Sequence, residues 1–226
     1  MYALATVSER WATFDCYGTL IDWHGGIRGV LRQLWPRADV ERLLRRHHAI
    51  EPLVQEGRAL TYREVGARTL RAIAAIEDLP LRPEDQYALA DSLPTWPAFD
   101  EVHGALSTLK ENGWRLAILS NTDPDLLNAS IEQIGVPIDV RITAAEAGSY
   151  KPAHGHWQRF FESTGADRAR HVHVAASLFH DIAPANELGL KAVWINRLDE
   201  HSDLPRAAEL VDLGALPQAL ERLVRL

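Results

Sequence analysis

Residues 13–22, TFDCYGTLID, decide the fold that the rest of the chain predicts. The apolar run before Asp15 is typical of a buried strand, and Gly18 permits a sharp turn just after this carboxylate. A carboxylate at such a break lies at the C-terminal edge of a sheet, where ligands of open α/β sheets bind. Taken alone, Asp15 is more simply explained as a helix N-cap, so its role depends on motifs further along.

Strand and helix patterns alternate along the rest of the sequence. The predicted strands are residues 11–16, 114–119, 138–142, 172–176 and 192–195. Helical periodicity separates them, including a helix over 181–188, and this alternation predicts an α/β fold with a parallel sheet. Residues 22–96 show helical periodicity without a strand, so we expect a small all-helical cap inserted into a core of residues 1–21 and 97–226.

Polar clusters follow four of these strands. They are Asp15, the pair Ser120-Asn121, Lys151 in a longer loop, and the segment Ser177–Asp181. A single polar strand end is usually a cap or a turn. Parallel strands bring their carboxyl ends to one edge of the sheet, so four such ends favour a functional site.

Composition excludes several classes of function. Formal net charge is −7, from 24 basic and 31 acidic residues, so nucleic acid and anionic membranes are not expected partners. No run approaches transmembrane length, and the N-terminus lacks the pattern of a signal peptide. Cys16 is the single cysteine, so no internal disulfide forms, which suits the cytoplasm.

The order of motifs DxYGT, hydrophobic-SN, KP and SLxxD resembles the haloacid dehalogenase superfamily of hydrolases over the whole predicted core. The resemblance implies a Rossmann-like, doubly wound parallel sheet, with the helical insert where that superfamily carries its small cap. It also implies that Asp15 is the nucleophile. Thr19 and Ser120 would hydrogen-bond it and its substrate, Lys151 would hold it, and Asp181 would be the acid of the last motif.

This chain departs from the phosphatases of that superfamily at two positions, and both bear on catalysis with magnesium. Phosphatases carry a general acid two residues after the nucleophile, where this chain has Tyr17. They also carry a magnesium-binding Asp in a Gly-Asp-Ser triplet, where this chain has Ala176. Hard divalent cations need oxygen ligands, so we expect no metal and no cofactor, and phosphatase activity is disfavoured.

The DxYGT pattern resembles the type II 2-haloacid dehalogenases, in which the nucleophile displaces halide from C2 and water hydrolyses the resulting aspartyl ester. By this resemblance the substrate carboxylate would be held by Ser120 and by the backbone N–H groups of Cys16 and Tyr17. Asn121 and Phe179 would lie in the halide pocket. That family uses a cap arginine for the halide; Arg45 is our first candidate and Arg46 the second, although a solvated helix face explains both equally well.

Three further segments, FDCYGTLIDW, GSYKP and SLFHDIAPANELGL, are more similar to the L-azetidine-2-carboxylate hydrolase type, which opens a strained ring next to a carboxylate. His180 belongs to that last motif with Ser177, and it either assists water activation or packs at a helix start.

The leading hypothesis is therefore a 2-haloacid dehalogenase acting on a small carboxylate. The alternatives are a ring-opening hydrolase, a phosphatase, and a noncatalytic binding protein. The sequence does not decide between a monomer and a homodimer.

Overall fold

The computed structural model describes residues 9–56 and 60–225 and forms one six-stranded parallel sheet. Its strands are β1 (Arg10–Phe14), β2 (Trp114–Ser120), β3 (Val140–Thr143), β4 (His171–Ala175), β5 (Ala192–Ile195) and β6 (Ala208–Leu210). They lie in the order β3-β2-β1-β4-β5-β6, so β1 is central and the chain winds outward on both sides of it. The predicted doubly wound parallel sheet is confirmed.

Ten α-helices lie in the described part of the chain. They are α1 (Trp23–Leu34), α2 (Val40–Gln55), α3 (Tyr62–Ile76), α4 (Ala88–Ser92), α5 (Val102–Glu111), α6 (Pro124–Ile134), α7 (Ala144–Ala147), α8 (Gly155–Thr164), α9 (Ala183–Glu187) and α10 (Leu216–Leu223). Helices α1 to α4 form the inserted helical cap, and the others pack around the sheet. None of the described helices has the length and apolarity needed to cross a bilayer.

Short polar side chains begin the three long cap helices. The carboxylates of Asp22 and Asp39 accept hydrogen bonds from backbone N–H groups in the first turns of α1 and α2. The hydroxyl of Thr61 does the same for α3. The first N–H groups of a helix have no acceptor within the helix, and these side chains provide one. Each helix therefore begins directly after its cap residue.

The cap joins the core through two adjacent crossings. Ile21 forms an antiparallel bridge with Ala98, and the backbone N–H of Asp22 donates to the carbonyl of Pro97 at 2.9 Å. The chain therefore leaves and re-enters the core side by side. We propose these crossings as the domain boundaries, at 21/22 and 96/97; residues 1–8 of the predicted core lie outside the described residues.

The sheet is buried on both faces, as parallel sheets require. All five residues of β1 are buried, and successive side chains point to opposite sides. Phe14 packs in the larger cluster, which also holds residues of the cap, of α5 and of α10. Trp11 packs in the smaller cluster beneath the sheet with Phe160. Burial on both faces leaves the strand ends as the natural place for a polar site.

Close packing between α1 and Trp96 yields a stability prediction. A Cβ atom on Gly26 would lie 2.2 Å from the Trp96 ring, whereas one on Gly29, in the same helix, meets no atom within 4 Å. Gly26→Ala should therefore lower the free energy of unfolding by about 1–3 kcal/mol, because the ring must move. Gly29→Ala should raise it by up to about 1 kcal/mol through helix propensity. Urea unfolding of both variants checks this, and equal effects would contradict it.

Two predicted boundaries were wrong near the site. Strand β1 ends at Phe14, so Asp15 lies just beyond the strand rather than within it. The helix predicted from residue 181 is preceded by a π-helical turn, Leu178–Ile182, which contains Asp181. The Ser177 hydroxyl accepts from the backbone N–H of His180, and the Ser177 carbonyl accepts from Ile182 five residues on. This capped, widened turn aims Asp181 inward.

Candidate active site

The four polar strand ends line a single cavity of about 370 Å³. Asp15 follows β1, Ser120 ends β2, and Asp181 follows β4. Lys151 lies in the loop after α7, the short helix that follows β3. They meet because parallel strands present their carboxyl ends at one edge. Helices α1, α2 and α3 of the cap supply the opposite wall, so the cavity lies between cap and core.

Asp15 is held at both carboxylate oxygens. The hydroxyl of Thr19 donates to Oδ2 at 2.8 Å, and the ammonium of Lys151 donates to Oδ1 at 2.8 Å. Thr19 is fixed in turn, because its oxygen accepts the backbone N–H of Ala176 at 2.9 Å. Gly18 allows the turn between Asp15 and Thr19, with φ of +88°. The Asp15 side chain is 11% exposed, and its two hydrogen bonds hold the carboxylate against rotation where it faces the cavity.

Lys151 has no ammonium hydrogen left over. Nζ donates to Asp15 at 2.8 Å, to Asp181 at 2.7 Å and to the carbonyl of Leu119 at 2.9 Å. Burial opposes its charge, but the two carboxylates outweigh burial and raise the pKa of Lys151 above its usual value. A lysine fixed in this way neutralises charge at Asp15 without moving.

A buried chain of hydrogen bonds supports this lysine from beneath. Asp181 Oδ1 accepts from His173 Nε2 at 3.0 Å, and His173 Nδ1 lies 2.8 Å from the hydroxyl of Thr13. The same hydroxyl lies 2.9 Å from His171 Nε2. In the neutral tautomer of His173 that donates from Nε2 to the ionised Asp181, Nδ1 accepts from the Thr13 hydroxyl, whose oxygen accepts from His171. That tautomer sets the bond directions along the whole chain.

Asp181 stays ionised despite complete burial. Burial alone would disfavour its charge, but Lys151 and the His173 hydrogen bond hold the pKa of Asp181 well below its usual range. Its second oxygen, Oδ2, is buried and has no hydrogen-bond partner among the described residues. A charged oxygen in that position is an acceptor available to water or substrate.

Ser120 and Asn121 have different surroundings although they are adjacent. The Ser120 hydroxyl is buried and unpaired within the described part of the chain, and it borders the cavity. The Asn121 amide also borders the cavity, but it accepts from the backbone N–H of Lys151 at 2.6 Å and donates to its carbonyl at 3.0 Å. Asn121 therefore fixes the lysine loop, while Ser120 has bonding capacity to offer a ligand.

The remaining core residues predicted at the site occupy its rim. Ser177, Phe179 and His180 all line the cavity, and Phe179 is 60% exposed at the mouth. Burial lowers the pKa of His180. Tyr17 also lines the cavity, and its hydroxyl lies 2.8 Å from that of Ser130. The Cys16 side chain is buried in the hydrophobic core instead, so any role for Cys16 rests on its backbone N–H.

The cap wall consists of residues that the sequence analysis did not select. They are Trp23, His24, His48, Glu51, Pro52, Gln55 and Tyr62. Trp23 stacks on His48 with ring centroids 5.0 Å apart. The hydroxyl of Tyr62 donates to Glu51 Oε1 at 2.9 Å, and its ring stacks on that of Tyr17. From the core side Arg197 was also missed; it reaches the cavity rim from the end of β5, donating to the Thr19 carbonyl at 2.9 Å.

Comparison with known proteins assigns a family to this geometry. A model of the haloacid dehalogenase-like hydrolases matches residues 10–189, which include the Asp15, Ser120, Lys151 and Asp181 positions. The chain belongs to this family of haloacid dehalogenase-like hydrolases.

Several relatives of this hydrolase have named activities. It is 28% identical over 232 residues to (S)-2-haloacid dehalogenase 1 of Pseudomonas sp. (strain CBS-3), covering 96% of this chain and 98% of that protein. The crystal structure of the L-2-haloacid dehalogenase RSc1362 matches with a TM-score of 0.85 and 26% identity, covering 95% and 100%. The ribulose-1,5-bisphosphate 5-phosphatase of Halopiger xanaduensis is 28% identical over 181 residues, covering 72% and 74%. The azetidine hydrolase resemblance stays a prediction.

The hydrolase's donor set does not fit magnesium. Asp15 and Asp181 both hydrogen-bond Lys151, and Ala176 offers no side-chain oxygen beside them. A hard divalent cation prefers six or more oxygen ligands, which two carboxylates already paired with an ammonium do not supply. Across residues 9–56 and 60–225, no three His, Cys, Asp or Glu side chains group as metal ligands.

The structure does not bring Arg45 to the cavity, which corrects its predicted role. Helix α2 turns Leu43, Leu44 and His47 inward, and Arg45 lies exposed on the opposite side. The second candidate, Arg46, also points outward and pairs with Glu77 at 3.0 Å. The solvated-face explanation therefore holds for both arginines, and no cap cation borders the cavity among the described residues.

Proposed function

We propose that this protein is a metal-independent hydrolase of small 2-substituted carboxylates that works through an aspartyl ester on Asp15. The observation that carries the proposal is the pair of bonds that fix Asp15, from Thr19 and from Lys151, at the base of a cavity closed by the cap. A carboxylate so held is a positioned nucleophile. The absence of a fitting magnesium donor set favours attack on carbon over phosphoryl transfer.

In the first step a carboxylate oxygen of Asp15 attacks C2 of the substrate. The C2–oxygen bond forms as the bond to the leaving group breaks, and the electron pair departs with that group. The substrate carboxylate would be held by the unpaired Ser120 hydroxyl and by the backbone N–H groups of Cys16 and Tyr17. Those two N–H groups have no hydrogen-bond acceptor within the described residues.

In the second step water attacks the carbonyl carbon of the Asp15 ester. The ester carbon–oxygen bond breaks, the product leaves as a 2-hydroxy acid, and the water oxygen remains in the carboxylate. The free oxygen of Asp181 and the ring of His180 are the acceptors available for the water's proton. Lys151 stabilises the negative charge that develops on the carbonyl oxygen.

A 2-haloacid is the first substrate class to test. Relatives that cover between 81% and 96% of the chain are named (S)-2-haloacid dehalogenases. Halide leaves without needing a proton, which agrees with Tyr17 standing where phosphatases carry their general acid. The product would be halide and the corresponding 2-hydroxy acid.

A nitrogen leaving group is the second candidate, and the cap wall favours it. A departing halide gains from a nearby cation or from free hydrogen-bond donors. The cap wall instead combines aromatic rings with the carboxyl of Glu51, and Arg45 lies away from it. The ring-opening hydrolase predicted from the sequence needs no cap cation.

One panel of substrates tests the proposal. It contains haloacetates, both enantiomers of 2-chloropropionate, azetidine-2-carboxylate and a generic phosphate ester, each with excess chelator and with added magnesium. We expect turnover of at least one carboxylate, unchanged by chelator, and no phosphate release. Activity that appears only with magnesium, on the phosphate ester, would contradict the proposal and favour the phosphatase alternative.

A further inference from the structure

The buried face of α2 changes from apolar to polar where it meets the cavity. Leu43 and Leu44 occupy this face first, and His47, Glu51 and Gln55 follow at four-residue spacing. Glu51 is 8% exposed and borders the same cavity as Asp15, from the opposite wall. The proposed ester chemistry does not use this carboxyl. Burying a carboxyl group costs free energy unless a partner compensates for the lost water.

Hydrogen bonding aims Glu51 at the cavity. Tyr62 donates to Oε1 at 2.9 Å, and Tyr62 is itself fixed by stacking on Tyr17, two residues after Asp15. The second oxygen, Oε2, has a single near neighbour among the described titratable groups, His47 Nδ1 at 3.9 Å. That distance exceeds a hydrogen bond, so Oε2 is an acceptor without a donor.

No cation of the described residues balances Glu51. Burial lowers the pKa of His47 to about 3 and that of His48 to about 4, so both rings are neutral near pH 7. Lys151 gives all three hydrogens to core acceptors, and Arg197 bonds the Thr19 carbonyl and Glu101. Burial raises the pKa of Glu51 to about 7, so the acid is partly protonated in the free protein, and a ligand cation beside it would ionise it fully.

We propose that Glu51, oriented by Tyr62, is the specificity-determining residue for the leaving group, and that it selects substrates with a protonated nitrogen on C2. The inference rests on the proposed function, because it places C2 between Asp15 and Glu51. A carboxylate there pairs with an ammonium and repels a departing halide. Small cyclic 2-amino acids, whose ring nitrogen is a secondary ammonium, fit a cavity of this size.

The chemistry balances without a further reactant. Asp15 forms its bond to C2 as the C2–N bond breaks, and the electron pair goes to a nitrogen that already carries its protons. The nitrogen thereby becomes a neutral amine, which stays attached to the substrate through the rest of the opened ring. Release of ring strain drives the step, since an unstrained amine is a poor leaving group. Hydrolysis of the ester then adds one water, and the released proton goes to the amine.

A matched pair of ligands tests Glu51 without turnover. Azetidine-2-carboxylate and cyclobutanecarboxylate differ in one ring atom, an ammonium nitrogen against a methylene. Calorimetry on the Asp15→Asn variant should show the azetidine binding about tenfold to a hundredfold more tightly, as expected for a buried charge-assisted hydrogen bond. Adding Glu51→Gln should remove that preference. Adding Glu41→Gln, on the exposed side of the same helix, should keep it.

Each outcome separates the inference from the proposed function. Equal affinity of the two ligands for the Asp15→Asn variant overturns the inference, whatever Glu51→Gln does. A preference that survives Glu51→Gln in a folded double variant overturns it as well. A Glu51-dependent preference supports it, even if the wild-type protein turns over no carboxylate, and in that case the proposed function alone fails.

Discussion

Asp15→Asn is expected to fold like the wild-type hydrolase and to lose turnover by at least about a thousandfold, because an amide cannot attack C2 as a carboxylate does. The amide keeps the shape of the side chain, and its single oxygen can still accept from Lys151 while its NH2 group faces the Thr19 oxygen, so circular dichroism should be unchanged. Asp203→Asn makes the same chemical change at a fully exposed side chain and should leave turnover intact.

Labelled water shows whether Asp15 acts covalently. In a single turnover in heavy-oxygen water, the ester mechanism places the label in Asp15, and the first product molecule carries an unlabelled oxygen. Peptide mass spectrometry of residues around Asp15 measures the incorporation. Label found only in the product would mean that water attacks C2 directly, and Asp15 would then be a general base rather than a nucleophile.

The core of the site could be predicted from sequence because it follows from sheet topology. Once strands alternate with helices, the side chains after each strand must meet at one edge. Asp15, Ser120, Lys151 and Asp181 do meet there. The wrong boundaries, at the end of β1 and at the start of the last motif's helix, differ by a few residues and do not move these side chains to another edge.

The cap wall was harder to predict, for a physical reason. An arginine looks like an anion-binding residue wherever it occurs, and Arg45 was selected by its distance from Asp15 along the chain. Its position on the helix decides otherwise, since it lies away from the face that Leu43 and Leu44 establish. The same periodicity carries forward to His47, Glu51 and Gln55, which are buried. Following the apolar face to its polar continuation would have identified Glu51.

The buried hydrogen-bond chain from Asp181 to His171 could not be predicted from the sequence either. His171 and His173 alternate along β4, and packing explains that spacing as well as function does. Whether such residues only fill space depends on which strand lies beside them. Thr13 of β1 pairs with His173 in the parallel register, so one hydroxyl bridges both rings. The connection to Asp181 comes from strand order and register, which the residue pattern alone does not reveal.

Mild acid is expected to destabilise the folded protein through its buried histidines. Burial lowers the pKa of His47, His156 and His171 to about 3 each, against 6.5 for an exposed histidine. Their folded forms are therefore neutral at pH values where the unfolded chain binds protons. Stability falls as the pH drops below 6.5, and each histidine contributes a loss of about 2 kcal/mol by pH 5.

Glu51 acts in the opposite direction over the same range. Burial raises its pKa to about 7 from 4.5, so the folded protein binds a proton between these values that the unfolded chain does not. This offsets about 2.5 kcal/mol of the loss by pH 5, but the three histidines outweigh it, and His48, whose pKa is lowered to about 4, adds to the loss. Asp181, whose pKa is lowered, keeps its stabilising effect throughout this range and loses it only in stronger acid.

Urea unfolding at half-unit steps from pH 8 to pH 5 measures the slope. His171→Gln should flatten it by one proton, about 1.4 kcal/mol per pH unit below pH 6, because the amide does not titrate and the unfolded chain loses a binding site. His201→Gln, the same change at a side chain that is 93% exposed, is the matched control. A slope that is flat, or equal in both variants, would mean that the buried histidines are protonated in the folded state.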